Sequence, residues 1–213
     1  MDCRAPALYR LGHRPDPDWA WGILRVHHLE SRQTEAANAA LGAAMRTFTD
    51  QLRPAGLPPG EGAQSFASIA DRGKAAGKEF KAVADKYSYT QPGKIARYME
   101  GVAAAQAGDP AAAEQQLKAV ADSSDKNIAA LAKMALAAQY RWSNKLSDAT
   151  RIYKDLQDHP TDTVSKAQAQ LAMAEMYENT DSQQAANIYK QIQTENPDNP
   201  AGQFAAARLA TVK

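Results

Sequence analysis

The chain has little of several residue types that mark particular classes of protein. Its 213 residues include a single cysteine, Cys3, so no disulfide can form within the chain. Aromatic residues make up only 7% of the sequence, and no run of about 18 apolar residues predicts a membrane-spanning helix. Acidic and basic residues are interspersed and nearly balanced, with a net charge of +1. Because no basic face is clustered, the sequence argues against binding nucleic acid.

Sequence patterns that support catalysis or bind cofactors are also missing. Glycine-rich or Gly-Lys stretches occur at residues 60–64, 75–80 and 91–98, but none has the hydroxyl residue that a phosphate-binding loop needs after its lysine. His27 and His28 are adjacent, so on a helix they would point about 100° apart and would not form a ligand pair. No GxSxG elbow occurs. The sequence therefore predicts no enzyme, no metal site, no cofactor and no small-molecule substrate.

The sequence is rich in alanine, and its composition predicts helices. Hydrophobic residues make up 44% of the sequence, and alanine has the highest intrinsic helix propensity. Residues 30–52 carry apolar side chains at the spacing of an amphipathic helix, and residues 63–87 predict a second long helix. Residues 1–29 differ, with three prolines, four arginines and three of the four histidines. We predict that this N-terminal segment is flexible or loosely packed.

The rest of the chain repeats itself with a period of 36 residues. The second helices of three predicted hairpins align without gaps in three columns: Ala113, Ala149 and Ala185; Leu117, Tyr153 and Tyr189; and Val120, Leu156 and Ile192. A fixed period in this range predicts a solenoid, because each hairpin can bury its apolar stripe only against its neighbours. We place a divergent hairpin at 30–87, repeats at about 94–126, 127–162 and 163–199, and a capping helix at 200–213.

The residue types in the columns of the 36-residue repeat have physical explanations. A small residue is expected where the second helix of a hairpin crosses the first most closely, which accounts for the alanines. The large residue one turn later is expected to fill the space toward the next hairpin. Between the helices of the first repeat stands Gly108-Asp109-Pro110, a turn in which Asp109 is a natural N-cap and Pro110 a favoured first helical residue.

This hairpin resembles the tetratricopeptide repeat (TPR). The residues that match the motif are Gly101, Gly108, Ala113 and Leu117 in the first repeat, Leu136, Ala137, Tyr140, Ala149, Tyr153 and Pro160 in the second, and Ala174, Tyr177, Ala185, Tyr189 and Pro197 in the third. The usual tryptophan of the first helix is absent, and Asn144 replaces the turn glycine of the second repeat. The resemblance implies an all-α, right-handed superhelical solenoid of TPR-like hairpins, closed by a C-terminal capping helix.

The order of the segments along the chain is similar to that of one family of TPR proteins. A long alanine-rich helix precedes the stretches at 65–88 and 93–117, as in the YfgM-type TPR family of bacterial membrane-anchored proteins. The resemblance covers roughly residues 30–209. It implies an inner-membrane anchor before the first helix, with the repeats in the periplasm and links to the translocon or to chaperone networks. Here residues 17–30 take the place of the anchor, and they are too short and too charged to span a membrane.

The resemblance also implies a binding surface on the exposed side of the first helices. Projected onto this chain, that concave face comprises Tyr98, Val102, Gln106, Met134, Ala138, Arg141, Trp142, Leu171, Glu175, Glu178 and Asn179. Trp142 beside Arg141 is the pair most typical of a binding hot spot. The alternative for Trp142 is packing against the next repeat. Tyr140, Tyr153, Tyr177 and Tyr189 are expected to lie in the core between repeats.

The sequence thus predicts a non-enzymatic scaffold or adaptor that binds protein or peptide segments. Two alternatives come from other classes. In the first, the long helix at 30–52 pairs with a second copy and the chain is a homo-oligomeric structural module. In the second, the chain is an enzyme with an unrecognised site, which would require a deep pocket with converging ionisable groups.

Overall fold

The computed structural model describes residues 17–53 and 65–212, with side chains from residue 31 onward. Within these ranges the chain is helical, with no strand beyond an isolated bridge between Leu52 and Phe66. The helices are α1 (Pro17–Thr49), α2 (Ile69–Lys86), α3 (Gln91–Gln106), α4 (Pro110–Ala121), α5 (Lys126–Trp142), α6 (Leu146–Asp158), α7 (Lys166–Tyr177), α8 (Ser182–Glu195) and α9 (Pro200–Leu209). The predicted all-α class is therefore confirmed for the described residues. No helix among them combines the length and apolar character needed to cross a membrane.

The two N-terminal helices begin at different places from those that the sequence suggested. α1 is continuous from Pro17, so residue 30 lies within it; residues 1–16 of the N-terminal segment fall outside the described residues. α2 begins at Ile69 rather than at residue 63, because the Ser68 hydroxyl accepts a hydrogen bond from the backbone N–H of Asp71 at 3.0 Å and caps the helix. α1 packs against α2 and α3.

Short-range signals set the turns between later helices. The Asp109 carboxylate accepts a hydrogen bond from the backbone N–H of Ala112 at 2.9 Å, and Pro110 occupies the first turn of α4. The predicted cap is confirmed. Gly108 takes a φ of 78° in this turn, and Asn144 takes a φ of 57° in the next one. Asparagine tolerates this left-handed conformation better than most residues do, which explains how it replaces a glycine there.

The three columns of the repeat are buried at every position. Their nine side chains are at most 5% exposed, and Tyr153 is only 1% exposed. The crossing of α3 with α4 is close as well, because a Cβ added to Gly101 would lie 2.9 Å from the side chain of Leu117. The sequence period therefore identified core positions correctly. Tyr140 is also buried, whereas Tyr177 is half-buried and shares a 2.9 Å hydrogen bond with Thr150.

The helices pack in chain order. Each helix from α1 to α9 contacts the next one, and contacts also join α1 with α3, α3 with α5, and α7 with α9. The buried side chains form one apolar cluster in α1–α3 and a larger one in α4–α9. Ile95 and Tyr98 of α3 contact both clusters and join them. On α9, Ala205 is buried against the larger cluster while Phe204 is 43% exposed.

Glu114 on α4 links two hairpins through three hydrogen bonds. Its carboxylate accepts from Lys118 Nζ at 2.6 Å, from Lys145 Nζ at 2.9 Å and from the Tyr140 hydroxyl at 3.2 Å. Lys145 lies in the turn between α5 and α6, so the cluster connects neighbouring repeats. The hydrogen bond from Lys118, and then that from Lys145, lower the pKa of Glu114 to about 2.

Glu114→Gln is expected to reduce stability at neutral pH and to lose that effect in acid. Because the folded-state pKa is depressed, the carboxylate stabilises the fold above its unfolded pKa of about 4.3, and this contribution disappears as the pH falls toward about 2. Urea unfolding at several pH values checks the prediction, because it measures the difference in the free energy of unfolding between the parent chain and Glu114→Gln at each pH. Glu79→Gln on α2, which has no ion pair among the described residues, is the control. A pH-independent difference for Glu114→Gln would contradict the prediction.

Candidate partner-binding groove

Two adjoining cavities lie along α5 and α7. The larger, of about 440 Å³, is lined by Arg141, Trp142, Asn144, Leu146, Glu175, Met176, Glu178, Asn179, Thr180 and Arg208. The smaller, of about 300 Å³, is lined by Leu131, Met134, Thr163, Val164, Gln168, Leu171, Ala172 and Glu175. Glu175 lines both cavities, and the two together are here named the α5–α7 groove.

Local sequence explains why these side chains share a face. Asp125 caps α5 by accepting from the backbone N–H groups of Asn127 and Ile128, and Ser165 caps α7 in a reciprocal capping box with Gln168. Along each capped helix, residues three or four positions apart lie on one side. Leu131 and Met134 therefore line the groove from α5, and Leu171 and Glu175 line it from α7.

Trp142 is the most exposed large apolar side chain of the groove. It is the last residue of α5 and is 80% exposed. The guanidinium carbon of Arg141 lies 6.0 Å from the centroid of its ring, at the outer limit of a cation–π contact. The exposure excludes the alternative in which Trp142 packs against the next repeat. A tryptophan and an arginine thus stand together at one end of the groove.

Arg141 and Glu175 face each other across the two helices without a close contact. The nearest nitrogen–oxygen distance is 3.9 Å, and both side chains are about one-third to two-fifths exposed. Neither side chain forms a hydrogen bond to another described residue. The pair is therefore a loose, solvated ion pair of the kind that contributes little to stability.

Glu178 is held much more tightly. Its carboxylate accepts from Arg208 Nε at 2.8 Å and from the Tyr189 hydroxyl at 2.7 Å, and a second nitrogen of Arg208 completes a two-point contact. Desolvation raises the pKa of Glu178, but the hydrogen bonds from Arg208 and Tyr189 outweigh it and leave the pKa below its usual range. Desolvation, and then the bond to Glu178, raise the pKa of Tyr189. This cluster joins α7, α8 and α9 and shapes the end of the groove.

Most of the residues predicted for the concave face come together here. The structure places seven of them in the groove: Met134, Arg141, Trp142, Leu171, Glu175, Glu178 and Asn179. Tyr98 and Val102 are half-buried and pack against the larger apolar cluster, Gln106 is half-buried near the end of α3, and Ala138 lies outside both cavities. Burial raises the pKa of Tyr98.

Sequence reasoning missed other lining residues for two different reasons. Leu131 lies one helical turn before Met134, so the 3.6-residue period carried a signal for it. Asn144 and Thr180 lie in turns, and Arg208, which belongs to α9, is 30 residues after Glu178 in the sequence. A contact over that separation depends on how α9 packs, and no local pattern predicts it.

The remaining clusters offer less for recognition or chemistry. A cavity of about 440 Å³ at α4–α6 contains Lys133 and Asp155, which are joined at 2.6 Å, and a cavity of about 300 Å³ lies beside Lys94 and Arg97. Among the described residues, no group of three or more histidine, cysteine or acidic side chains has the arrangement of a metal site. The α5–α7 groove is the candidate site because it combines an exposed tryptophan with the loosely paired side chains of Arg141 and Glu175.

Comparison of the chain with models of protein families, with curated proteins and with solved structures finds no match.

Proposed function

We propose that this chain is a non-enzymatic scaffold that binds a protein or peptide segment in the α5–α7 groove. The observation that carries the proposal is the exposure of Trp142, whose ring stands in the groove beside Arg141 instead of in the core. Tryptophan and arginine are enriched among residues that dominate binding energy. An exposed tryptophan in a concave site is costly to leave in water, and a partner would bury it.

The proposed architecture is a right-handed solenoid of three TPR-like hairpins, with α1 and α2 as a divergent first hairpin and α9 as the cap. Two features support it: the columns spaced by 36 residues are buried, and contacts across the repeats join the first helices α3 and α5 and join α7 with the cap α9. By its resemblance to the YfgM-type family, we place the scaffold at the bacterial envelope, where it would serve translocon-ancillary or chaperone-network proteins.

Site-specific photocrosslinking tests the proposed function. A photoreactive amino acid at Asn179, on the rim of the groove, is expected to crosslink a partner in cells, whereas the same amino acid at the exposed Lys190 of α8 is not. In the Asn179 background, Trp142→Ala is expected to lower capture strongly, because loss of a hot spot of about 2 kcal/mol corresponds to about thirtyfold in affinity. Arg141→Ala is also expected to lower capture of the partner.

Tyr89→Ala is the matched control, since Tyr89 is an aromatic side chain that is 99% exposed and lies outside the groove. If Trp142→Ala and Arg141→Ala both recover the same partners as the unmodified chain, the groove is not the binding site. Light scattering of the same preparations measures the alternative of self-assembly through α1. A concentration-dependent dimer that resists Trp142→Ala would favour that alternative.

A further inference from the structure

We infer that the outer face of α9 is a self-association surface, on which a second copy of this chain packs its own α9 in an antiparallel pair. The outer face of α9, together with the turn that ends the helix, consists of six exposed residues: Pro200, Gln203, Phe204, Ala207, Ala210 and Thr211. None of them lines the α5–α7 groove, so the inference goes beyond the proposed function and does not rest on it.

α9 continues the series of first helices in register. A fully buried alanine recurs in α3, α5, α7 and α9 at spacings of 36 or 37 residues: Ala96, Ala132, Ala169 and Ala205. α3 and α9 also share a glycine three residues before this alanine, at Gly93 and Gly202, where an added Cβ would collide with the backbone carbonyl at the end of the preceding helix. The two helices therefore enter the fold in the same way, and each position on α9 has an equivalent on α3.

This register shows what the exposed positions of α9 do elsewhere in the fold. Phe204 and Ala207 are equivalent to Ile95 and Tyr98 of α3. Ile95 and Tyr98 are half-buried, because they contact the apolar cluster of the hairpins that follow α3. On α9 both equivalent positions are exposed, and Phe204 keeps 43% of its surface in contact with solvent. α9 thus presents to solvent a face of the kind that this fold buries between neighbouring hairpins.

The outer face of α9 also lacks the charges expected of a terminal helix. Stacked hairpins need a polar outer face on their terminal elements in order to stay soluble. α1 meets this requirement, since Arg32, Glu35 and Arg46 are exposed on the side that faces away from α2 and α3. The outer face of α9 contains no ionisable side chain, and Arg208, the one charged residue of the helix, is bound to Glu178 of α7. The comparison with α1 indicates that the α9 face is covered by another helix.

The large and small side chains of this face are complementary to themselves. Phe204, Ala207 and Thr211 lie on one side of α9, three and then four residues apart. In an antiparallel pair with its two-fold axis beside Ala207, the ring of Phe204 lies against Thr211 of the second copy, and the same contact forms twice. The small side chain of Ala207 lets the helices approach closely at the axis. Such reciprocal contacts define an isologous interface, and an uncharged face brings no like charges together there.

The size of the face sets the strength of the association. α9 has 10 residues, and two such helices bury less than about 1,200 Å² in total, which is the range of weak or transient interfaces. Phe204 is the one large apolar side chain among the six residues, so most of the apolar gain comes from its burial. We therefore expect a reversible dimer with a dissociation constant on the order of 100 μM.

Analytical ultracentrifugation of the full chain tests the inference. Between about 10 μM and about 1 mM, on either side of the expected dissociation constant, the weight-average mass should rise from that of one chain toward twice that value. Phe204→Glu should raise the dissociation constant more than tenfold, because it removes the ring and would bury an unpaired carboxylate. Adding Thr211→Lys places a cation opposite each new carboxylate across the two-fold axis and should restore part of the association. Circular dichroism shows that each variant remains folded.

Met45→Glu is the matched control, because Met45 is an apolar side chain of α1 that is 37% exposed, and it receives the same charge. Its dissociation constant should equal that of the parent chain. The α9 dimer would persist in Trp142→Ala, so the comparison of Met45→Glu with Phe204→Glu is what separates association through α9 from association through α1. Loss of the dimer in Met45→Glu and its retention in Phe204→Glu would overturn the inference.

Disulfide trapping tests the antiparallel geometry. In a Cys3→Ser chain, which then has no other cysteine, Ala207→Cys should give a covalent dimer on mild oxidation, because the two thiols meet beside the axis. Lys190→Cys, at an exposed position of α8, should not. Equal trapping of the two variants would contradict the antiparallel α9 pair. A parent chain that stays monomeric up to about 1 mM would overturn the inference and assign the α9 face to a helix of another molecule.

Discussion

Tyr153→Ala should lower the free energy of unfolding by about 3–5 kcal/mol, the range found when large aromatic side chains are truncated in well-packed cores. Tyr153 lies on α6, is 1% exposed and belongs to the apolar cluster that joins α4–α9. Its ring fills the large position of the repeat, so its removal leaves a cavity between neighbouring hairpins. In an architecture held together by contacts between neighbours, such a cavity weakens their coupling.

Urea denaturation followed by far-ultraviolet circular dichroism measures the effect. Tyr153→Phe keeps the ring and is expected to cost less than about 1.5 kcal/mol, as conservative core replacements do. Tyr89→Ala removes an equally large ring that is 99% exposed and should change stability by no more than about 0.5 kcal/mol. If Tyr153→Ala and Tyr89→Ala had similar effects, Tyr153 would not be a core residue.

The second large effect is expected for Gly93→Ala, in the first turn of α3. A Cβ at Gly93 would lie 1.9 Å from the carbonyl oxygen of Tyr87, so the backbone itself would have to move. That oxygen accepts hydrogen bonds from the backbone N–H of Thr90 at 2.9 Å and from its hydroxyl at 2.8 Å. Because the movement would disrupt this turn and the cap of α3, we expect a loss of at least about 3 kcal/mol, at the upper end of overpacking costs.

Gly42→Ala in α1 is the matched control. There the added Cβ would meet only the end of the Arg46 side chain, at 3.8 Å, which is an ordinary contact. Since alanine is favoured over glycine inside a helix, this variant should be more stable by up to about 1 kcal/mol. Thermal unfolding of the two variants should therefore shift in opposite directions. A stabilised Gly93→Ala protein would show that the turn after α2 accommodates a side chain.

The helix caps, the start of α2 and the groove show which features of the structure could be predicted from the sequence. The Asp109 cap and the three columns at Ala113, Leu117 and Val120 were predicted correctly, because capping and helical periodicity act within one or two turns of a helix. The start of α2 was placed six residues too early, because glycines and prolines before it left no sharp boundary and the Ser68 cap was overlooked. The groove was anticipated in part: seven of the predicted residues line it.

The sequence by itself determined the helical class, the 36-residue spacing of the core columns and the capping of the turns, since these depend on residues that are neighbours along the chain. Tertiary structure alone decided that Trp142 faces solvent, that Arg141 and Glu175 stay 3.9 Å apart, and that Arg208 binds Glu178. Those outcomes depend on the distance and rotation between helices whose contacting residues are 30 or more positions apart in sequence. Helix–helix geometry results from the packing of many side chains at once, and no local pattern encodes it.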